Sequence, residues 1–396
     1  MISVEEAKSL IQQTISLTAN HKKVTLIDAL GEILAEDLYA PIALPPFRQS
    51  AMDGYGVRFE DLSHQGDFTI QAIVPAGSTE KVKLQAGKAV RIFTGAPVPD
   101  EVDTIIIQEM AEEKDGKVAF EDRPYRMGQN IRPVGEQIEE GDFAVKKGQR
   151  LTPEVISFIA SLGVTELEVY QKPSIGILAN GDELMPIGYP LSYGQIYESN
   201  TIGLKHALHQ AGYTSTESYH TLDIQEEVIQ RIKEASEKHD FLLLSGGISV
   251  GDYDYVGTSL DYLGCEKIFY KVKQKPGKPL FFGKLNDCYV FALPGNPAAA
   301  LTCFHEYVYP ALNQYCGLGF QQLQTIKVPI ATEYHKKGDR AQFLKATLRD
   351  GKAHLLQGQA SSMLRAFTEA SGYIYIPKEQ GITKEGELVE VRLLLR

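Results

Sequence analysis

The sequence predicts an α/β plus β protein: a doubly wound, mostly parallel α/β sheet domain in the second half of the chain, with β-rich structure before and after it. Three observations carry this. Residues 174–315 alternate short apolar runs with helical patterns, the signature of a parallel sheet with crossover helices. Residues 47–145 instead show short alternating runs bounded by Gly and Pro, with no long helical period, and the chain from about 325 onward reads the same way. At 396 residues the chain is long enough for two or three cores.

Taken in chain order, Ser3 with Glu6 forms a capping-box pattern that opens a helix to about Leu17. Val24 to Tyr39 read as a short strand and a helix. Pro41, Pro45 and Pro46 then break regular structure and suggest a hinge into a new domain. In the segment that follows, Phe68–Val74 and Val90–Phe93 are the clearest strands. From Gly148 to Tyr170 helix and strand return, with Thr152 as N-cap and Pro153 at the first helical position. In the α/β region, Ser174–Leu178, Phe241–Leu244, Lys267–Tyr270 and Cys288–Leu293 are strands, and 200–212, 225–238, 255–263 and 297–312 are helices. In the C-terminal region Ile326–Ala331, Gln342–Leu348, Lys352–Leu356, Tyr373–Ile376 and Leu388–Leu394 are strands of a small barrel or sandwich. The segment Ser361–Thr368 fits neither pattern.

Composition narrows the functional classes. Net charge is −11, which argues against a general nucleic-acid binder. Cys265, Cys288, Cys303 and Cys316 show no C-x-x-C spacing, so neither a zinc site nor a redox dithiol is indicated, and four scattered cysteines suit a reducing compartment. The N-terminus lacks the basic and apolar regions of a signal peptide, and no run of 18 apolar residues occurs, so the expectation is a cytoplasmic protein with no membrane span.

The chemistry-bearing segments sit mostly at strand ends. In an open parallel sheet, ligands bind outside the carboxyl ends of the strands. Ser245-Gly246-Gly247 follows one buried strand, with Ser249 and Asp254 just beyond. Leu293-Pro294-Gly295-Asn296-Pro297 follows another, with Asn296 suited to cap the next helix. Glycines there allow close backbone approach, and a helix start offers free N–H groups to an anion. Each turn alone reads more readily as a tight βα connection, and only the pair in one sheet balances the two readings. Lys273, Lys275 and Lys278 fall in a turn ordered by Pro276, Gly277 and Pro279, suited to an oxyanion or to plain solvation. Glu183 follows the strand Ser174–Leu178, and Asp223 precedes the helix at 225–238. Carboxylates beside an anion site suggest a hard cation between them, although Asp182 or Asp223 could serve only as helix caps. Arg48–Gly56 and Thr94–Pro99 read individually as turns. His206 and His209 share a helix face without a third ligand, and no Ser-His-Asp or Cys-His pattern suggests a protein nucleophile.

Seven of these segments together resemble one family. Pro46–Gly56, Phe93–Pro99, Asn130–Glu136, Gly181–Leu184, Ser245–Tyr255, Lys275–Pro279 and Leu293–Pro297 are similar, in order, to molybdopterin molybdenumtransferases, the family that includes the E domain of gephyrin. The resemblance implies an elongated homodimer of multidomain subunits. Its parts would be an N-terminal helix over 1–22 packing on the α/β domain, a connecting domain over 23–46 and 146–172, a β-rich insertion over 47–145, a molybdopterin-binding α/β domain over 173–322 and a C-terminal β-barrel over 323–396. It implies Mg²⁺-dependent insertion of molybdate into adenylylated molybdopterin, with release of AMP. Other enzymes of molybdenum cofactor biosynthesis become possible partners. By motif, Asp53, Thr94, Glu183, Asp223 and Asp254 match the family's catalytic positions, and Glu183, Asp223 and Asp254 the metal-facing ones. Arg132, Ser245, Gly246, Gly247, Ser249, Lys275, Lys278, Pro294, Asn296, Pro297, Arg340 and Ser361 match substrate contacts, with Ser361 and Ser362 not separable. The family's cleft would be completed by the insertion of the second subunit. One departure stands out: Gln137 occupies a position where the family commonly carries an acid, and an amide cannot replace a carboxylate as a charged ligand. Two other readings are a molybdopterin adenylyltransferase-type or nucleotide-hydrolysing enzyme on the same α/β core, and a non-catalytic scaffold of the gephyrin type.

Overall fold

The computed structural model describes residues 1–63, 66–248 and 255–395. These residues divide into two compact units, Lys23–Glu168 and a second made of Met1–Lys22 with Val169–Arg396.

The larger unit is organised on a six-stranded sheet in the order Thr216–Thr221, Ile175–Asn180, Phe241–Ser245, Cys288–Leu293, Phe281–Leu285, Glu266–Tyr270. The first four strands pair in parallel, and Phe281–Leu285 pairs antiparallel with both Cys288–Leu293 and Glu266–Tyr270, so the sheet is mostly parallel, as the alternation of strands and helices predicts. Its central strands are buried on both faces, which is why they read as unbroken apolar runs. The helices Asn200–Gln210, Gln225–Lys238 and Tyr255–Tyr262 follow the sequence pattern closely. The helix expected over 297–312 runs on to Tyr315 and contains a π-helical segment, Phe304–Val308.

Two strands escape the sequence reading. Thr216–Thr221 is polar because it lies at the sheet edge, and Phe281–Leu285 follows so closely on the lysine turn that it reads as part of it. The lysine turn therefore closes an antiparallel hairpin. Its Gln274–Lys275 also adds, in parallel, to the strand Ala341–Arg349 of the C-terminal sheet.

That C-terminal sheet is a small barrel. Ala341–Arg349 pairs with Lys352–Leu355 on one side and Gly372–Ile376 on the other, followed by Leu388–Leu393 and Thr325–Pro329. A bridge from Ile330 to Ala353 joins the two ends. Leu344, Ala346, Ile374, Ile376, Val389 and Val391 fill the interior. The segment that fitted neither pattern is a loop ending in a 3-10 turn, Arg365–Thr368.

The N-terminal helix has the expected capping box but spans Val4–Thr14, not to Leu17, because Ile15 turns extended. Its Lys8 contacts the buried Glu306 at 2.6 Å, and Arg392 of the barrel reaches the same carboxylate oxygen. Glu306 is 2% exposed, so this one anion links the N-terminal helix, the π-helical segment and the barrel. Removing it would leave the buried Lys8 ammonium without an ion-pair partner among the described residues and Arg392 with Glu390 alone, a change that costs about 3–5 kcal/mol.

In the smaller unit, the six-stranded sheet runs Thr104–Ile107, Gly54–Val57, Lys88–Ile92, Phe68–Val74, Lys117–Phe120, Ala111–Lys114. Adjacent residues face opposite cores: Val90 and Ile105 join one cluster, Ala89 and Ile106 the other. The helix expected within Val24–Tyr39 does not form. A strand His21–Thr25, a 3-10 turn Leu26–Asp28 and a two-residue strand Leu38–Tyr39 stand there. Leu26, Ala29, Ile33 and Leu34 give helical spacing, but Gly31 sits at φ 75° and interrupts the period. Thr152 and Pro153 start the helix Pro153–Ser161 as expected.

Candidate functional site

The carboxyl ends of the parallel strands open into a cavity of about 600 Å³. Its walls include Asn180, Gly181 and Glu183 from one strand end, Ser245, Gly246 and Gly247 from the next, and Pro294, Gly295, Asn296 and Pro297 from the third. Both glycine-bearing turns thus face one space.

Sterics explain the glycines of the first turn. Gly246 and Gly247 adopt φ 97° and 60°, in the left-handed region. A Cβ on Gly247 would lie 2.7 Å from both Asn180 Nδ2 and Val256 Cγ2, and one on Gly246 would lie 2.9 Å from the Asn180 carbonyl oxygen. The turn is pressed against the neighbouring strand end, and only glycine fits.

Two asparagines hold the strand ends together. Asn200, at the start of helix Asn200–Gln210, donates from Nδ2 to Ser245 Oγ and to the Gly295 carbonyl, each at 2.8 Å. Asn180, 5% exposed, donates to Asp223 Oδ1 at 2.8 Å. The Asp223 N–H in turn donates to Asp182 Oδ1 at 3.0 Å. Capping does not account for Asp223, since helix Gln225–Lys238 has Ile224 at its N-cap and no side-chain cap bond. Neither asparagine was singled out from the sequence, where an Asn at a strand end or helix start looks like an ordinary turn residue.

The second turn departs from expectation in one respect. Asn296 takes the N-cap position, but its side chain makes no cap bond and donates instead to Ser361 Oγ at 3.0 Å. The Ser361 carbonyl accepts the Ala299 N–H at 3.2 Å, so the barrel loop occupies part of the helix start that was expected to serve an anion. Ser362, not Ser361, lines the cavity. The sequence could not separate the two serines, and they play different parts.

Lys275 and Lys278 are exposed on a turn whose next residue, Pro279, lines the cavity. The turn itself is firmly seated. Gln274 is fully buried; its Nε2 donates to the Gly277 carbonyl at 3.0 Å, and its Oε1 accepts the Tyr307 hydroxyl. Arg340 reaches the Gln274 carbonyl at 3.4 Å, so the structure places it beside the lysine turn. Ser249 and Asp254 lie outside the described residues.

Glu183 and Asp223 both line the cavity, as does Glu198. Among the described residues no three His, Cys, Asp or Glu side chains form a metal cage. Glu183 and Asp223 nevertheless suit Mg²⁺, which binds through one or two carboxylates and takes its remaining ligands from substrate phosphates and water. His206 and His209 are not a metal pair; His209 Nε2 bonds Thr216 Oγ1 at 3.0 Å. The four cysteines are buried and form no disulfide, and burial pushes the thiols of Cys265, Cys288 and Cys303 up, that of Cys265 to about 12. None of these three is an activated thiolate.

In the smaller unit, Asp53 Oδ1 accepts from both the Thr94 N–H and the Thr94 hydroxyl at 2.7 Å. These bonds, the backbone one foremost, hold the Asp53 carboxyl below its usual value of 3.8. Asp53-Gly54 is not a hairpin turn: Gly54 begins a strand, where a Cβ would meet the Ile106 carbonyl oxygen. Arg132 belongs to a short strand paired with Gln49–Ser50, and the Ser50 carbonyl accepts the Gly95 N–H at 2.9 Å. The fold therefore gathers three segments, around Asp53, Thr94 and Arg132, that lie far apart in sequence. Arg132 also pairs with Glu136 at 3.9 Å.

Comparison with known proteins agrees with this geometry. Residues 2–163 match the MoeA N-terminal region (domain I and II), 176–314 a probable molybdopterin binding domain, and 327–394 the MoeA C-terminal region (domain IV). A molybdopterin molybdenumtransferase from Haemophilus influenzae is 33% identical over 99% of this chain and 98% of that protein. The chain belongs to the molybdopterin molybdenumtransferase, or MoeA, family.

A second MoeA relative, from Staphylococcus epidermidis, is 31% identical over 99% of the chain and 95% of its own length. A MoeA crystal structure from Pyrococcus horikoshii OT3 superposes with TM-score 0.87 at 27% identity, covering 99% of this chain and all of the other. The resemblance on the seven motifs is borne out, and so is the multidomain α/β plus β architecture. Within this MoeA chain Gln137 stands exposed, its N–H donating to the Leu44 carbonyl at 2.9 Å.

Proposed function

We propose that the chain inserts molybdate into adenylylated molybdopterin, releasing AMP and forming molybdenum cofactor. One observation carries the reading: a polar cleft formed where three parallel strands end, with two glycine-bearing turns and two carboxylates in its wall and a lysine turn at its border. All the substrates are anionic. Lys275, Lys278 and Arg340 supply positive charge beside the cleft, and the Gly246–Gly247 turn lets a phosphate approach the backbone. Glu183 and Asp223, with Asp254, would hold Mg²⁺, and the ion would neutralise charge on the phosphoanhydride. Asn180 keeps Asp223 oriented by donating to one of its oxygens.

The chain supplies binding and orientation and no covalent intermediate. A molybdate oxygen attacks the adenylate phosphorus and the anhydride P–O bond breaks; the Mo–O bond then breaks, AMP leaves with that oxygen, and the dithiolene sulfurs fill the vacated place on the metal. If a water attacks instead, AMP carries the water oxygen, and the oxide that the dithiolene sulfurs displace from molybdate leaves as water with the protons released. The active unit is a cytoplasmic homodimer in which the partner's β-rich insertion brings its Asp53, Thr94 and Arg132 to the cleft. No described helix is long and apolar enough to cross a membrane. Substitution Asp223→Ala tests the reading. Molybdate-dependent AMP release should fall at least ~100-fold, the usual effect of losing a group that stabilises charge in the reaction. Full activity would remove Asp223 from the site.

A further inference from the structure

Lys345 is a cation in an unexpected place. It lies in the barrel strand Ala341–Arg349, yet it is only 2% exposed. Its ammonium donates to the Ala360 carbonyl at 3.3 Å and the Met363 carbonyl at 3.2 Å, and sits 5.3 Å from the Phe367 ring centre. Among the described residues no carboxylate lies within ion-pair distance of it, in contrast to the buried Lys8, which has Glu306. A buried ammonium with only carbonyl and ring partners is unfavourable for stability, and a methionine would fill the same volume without that penalty.

The turn that Lys345 grips is the one that meets the cleft. Ala360 and Met363 flank Ser361 and Ser362, and the Met363 N–H closes the turn on the Ala360 carbonyl at 3.1 Å. On its far side Ser361 accepts from Asn296, and Ser362 lines the cavity. Gln359 fixes the approach to the turn, accepting the Lys345 N–H at 2.9 Å and donating to the Lys345 carbonyl at 2.8 Å. The turn is thus held between a buried cation and a cleft suited to anions.

We propose that Lys345 is a positioning residue for anion binding. It fixes the 360–363 turn against the Asn296 turn and adds an uncompensated positive charge behind the wall that a bound phosphate would face. This rests on the reading that an anionic substrate occupies the cleft. Charge in a poorly solvated place acts over a longer range than charge at the surface, and salt weakens its effect on a solvent-accessible anion.

The test is titration calorimetry of AMP with wild type, Lys345→Met, Lys345→Gln and the charge-matched barrel-surface variant Lys327→Met, at about 50 and 500 mM salt. Lys345→Met should raise the AMP Kd at least fivefold at low salt. The deficit should shrink at high salt, and Lys327→Met should bind as wild type. Lys345→Gln, which keeps a donor for the turn and loses the charge, should show the same salt-dependent loss, and it replaces the methionine variant if that one fails to fold. A folded Lys345 variant that binds within twofold of wild type overturns the proposal, as does a loss that salt leaves unchanged. If wild type itself binds no AMP, the cleft reading falls first and this inference with it, a result distinct from wild type and variant binding equally.

Discussion

Asn200 ties the two strand-end turns together: its amide nitrogen donates to Ser245 Oγ and to the Gly295 carbonyl, both at 2.8 Å. One side chain at a helix start therefore sets the spacing of the two halves of the cleft wall. Asn200→Ala removes both bonds. Stability should drop by about 1–2 kcal/mol, from two hydrogen bonds of ordinary net strength. Turnover should fall about tenfold, because small displacements of positioned groups are costly in catalysis. Urea unfolding and kcat/KM check the two effects separately.

Gly247 offers a steric test. Gly247→Ala must place a Cβ 2.7 Å from Asn180 Nδ2 and Val256 Cγ2, at φ 60°. The left-handed conformation alone costs about 1–2 kcal/mol in a non-glycine residue, before the clash is counted. The variant should be destabilised by more than this and lose most activity. Gly257 is the control. It lies in the helix Tyr255–Tyr262, and a Cβ there meets nothing within 4 Å. Gly257→Ala should be neutral or stabilising by up to about 1 kcal/mol, on helix propensity. Thermal unfolding of the pair decides it.

Thr94 should control the charge state of Asp53. Thr94→Val deletes the hydroxyl bond and leaves the backbone one. The depressed Asp53 carboxyl should move up toward its ordinary value of 3.8 without reaching it. Because the folded-state value is lowered, any stabilisation from this carboxylate is complete above the ordinary range and is lost as pH falls through the folded value. The variant should lose it at higher pH than wild type. Carboxyl-carbon NMR titration of Asp53 reads the shift directly.

His305 makes acid stability measurable. Burial pushes its imidazole down from 6.5 to about 4, while the neighbouring Glu306 opposes the shift. The unfolded chain therefore takes up a proton near pH 6.5 and the folded one only near 4. The contribution to stability is full above pH 6.5 and is eroded as pH falls from there to 4, by at most about 1.4 kcal/mol per pH unit. Between pH 7 and 5, wild type should lose about 2 kcal/mol more than His305→Gln, measured by urea unfolding at both pH values. Parallel losses in the two proteins would exclude His305 as the source.

Much of the α/β domain is legible in the sequence, for a physical reason. Phe241–Ser245 and Cys288–Leu293 are buried on both faces, so no polar alternation obscures them, and their loops carry the glycines and prolines that mark turns. What escapes is what depends on neighbours. Thr216–Thr221 is a strand because Ile175–Asn180 pairs with it, and nothing in its polar sequence requires that. The apolar spacing of Leu26 to Leu34 suggests a helix, but the chain turns at Gly31 with φ 75°. At the site, the glycine turns and the lysine turn announce themselves by composition. Asp53 and Thr94 stand out only through the family resemblance, since alone each lies in an ordinary turn. Asn180, Asn200 and Lys345 are invisible in the sequence because their importance lies in which atoms they reach, and those atoms belong to other segments of the chain.

The central claim is a reaction, and AMP release tests it most directly. Wild-type protein should be mixed with adenylylated molybdopterin, molybdate and Mg²⁺, and AMP and molybdenum cofactor quantified with and without molybdate. The account predicts AMP formed in step with the cofactor and dependent on molybdate. No molybdate-dependent AMP, or AMP released at the same rate without molybdate, would contradict it.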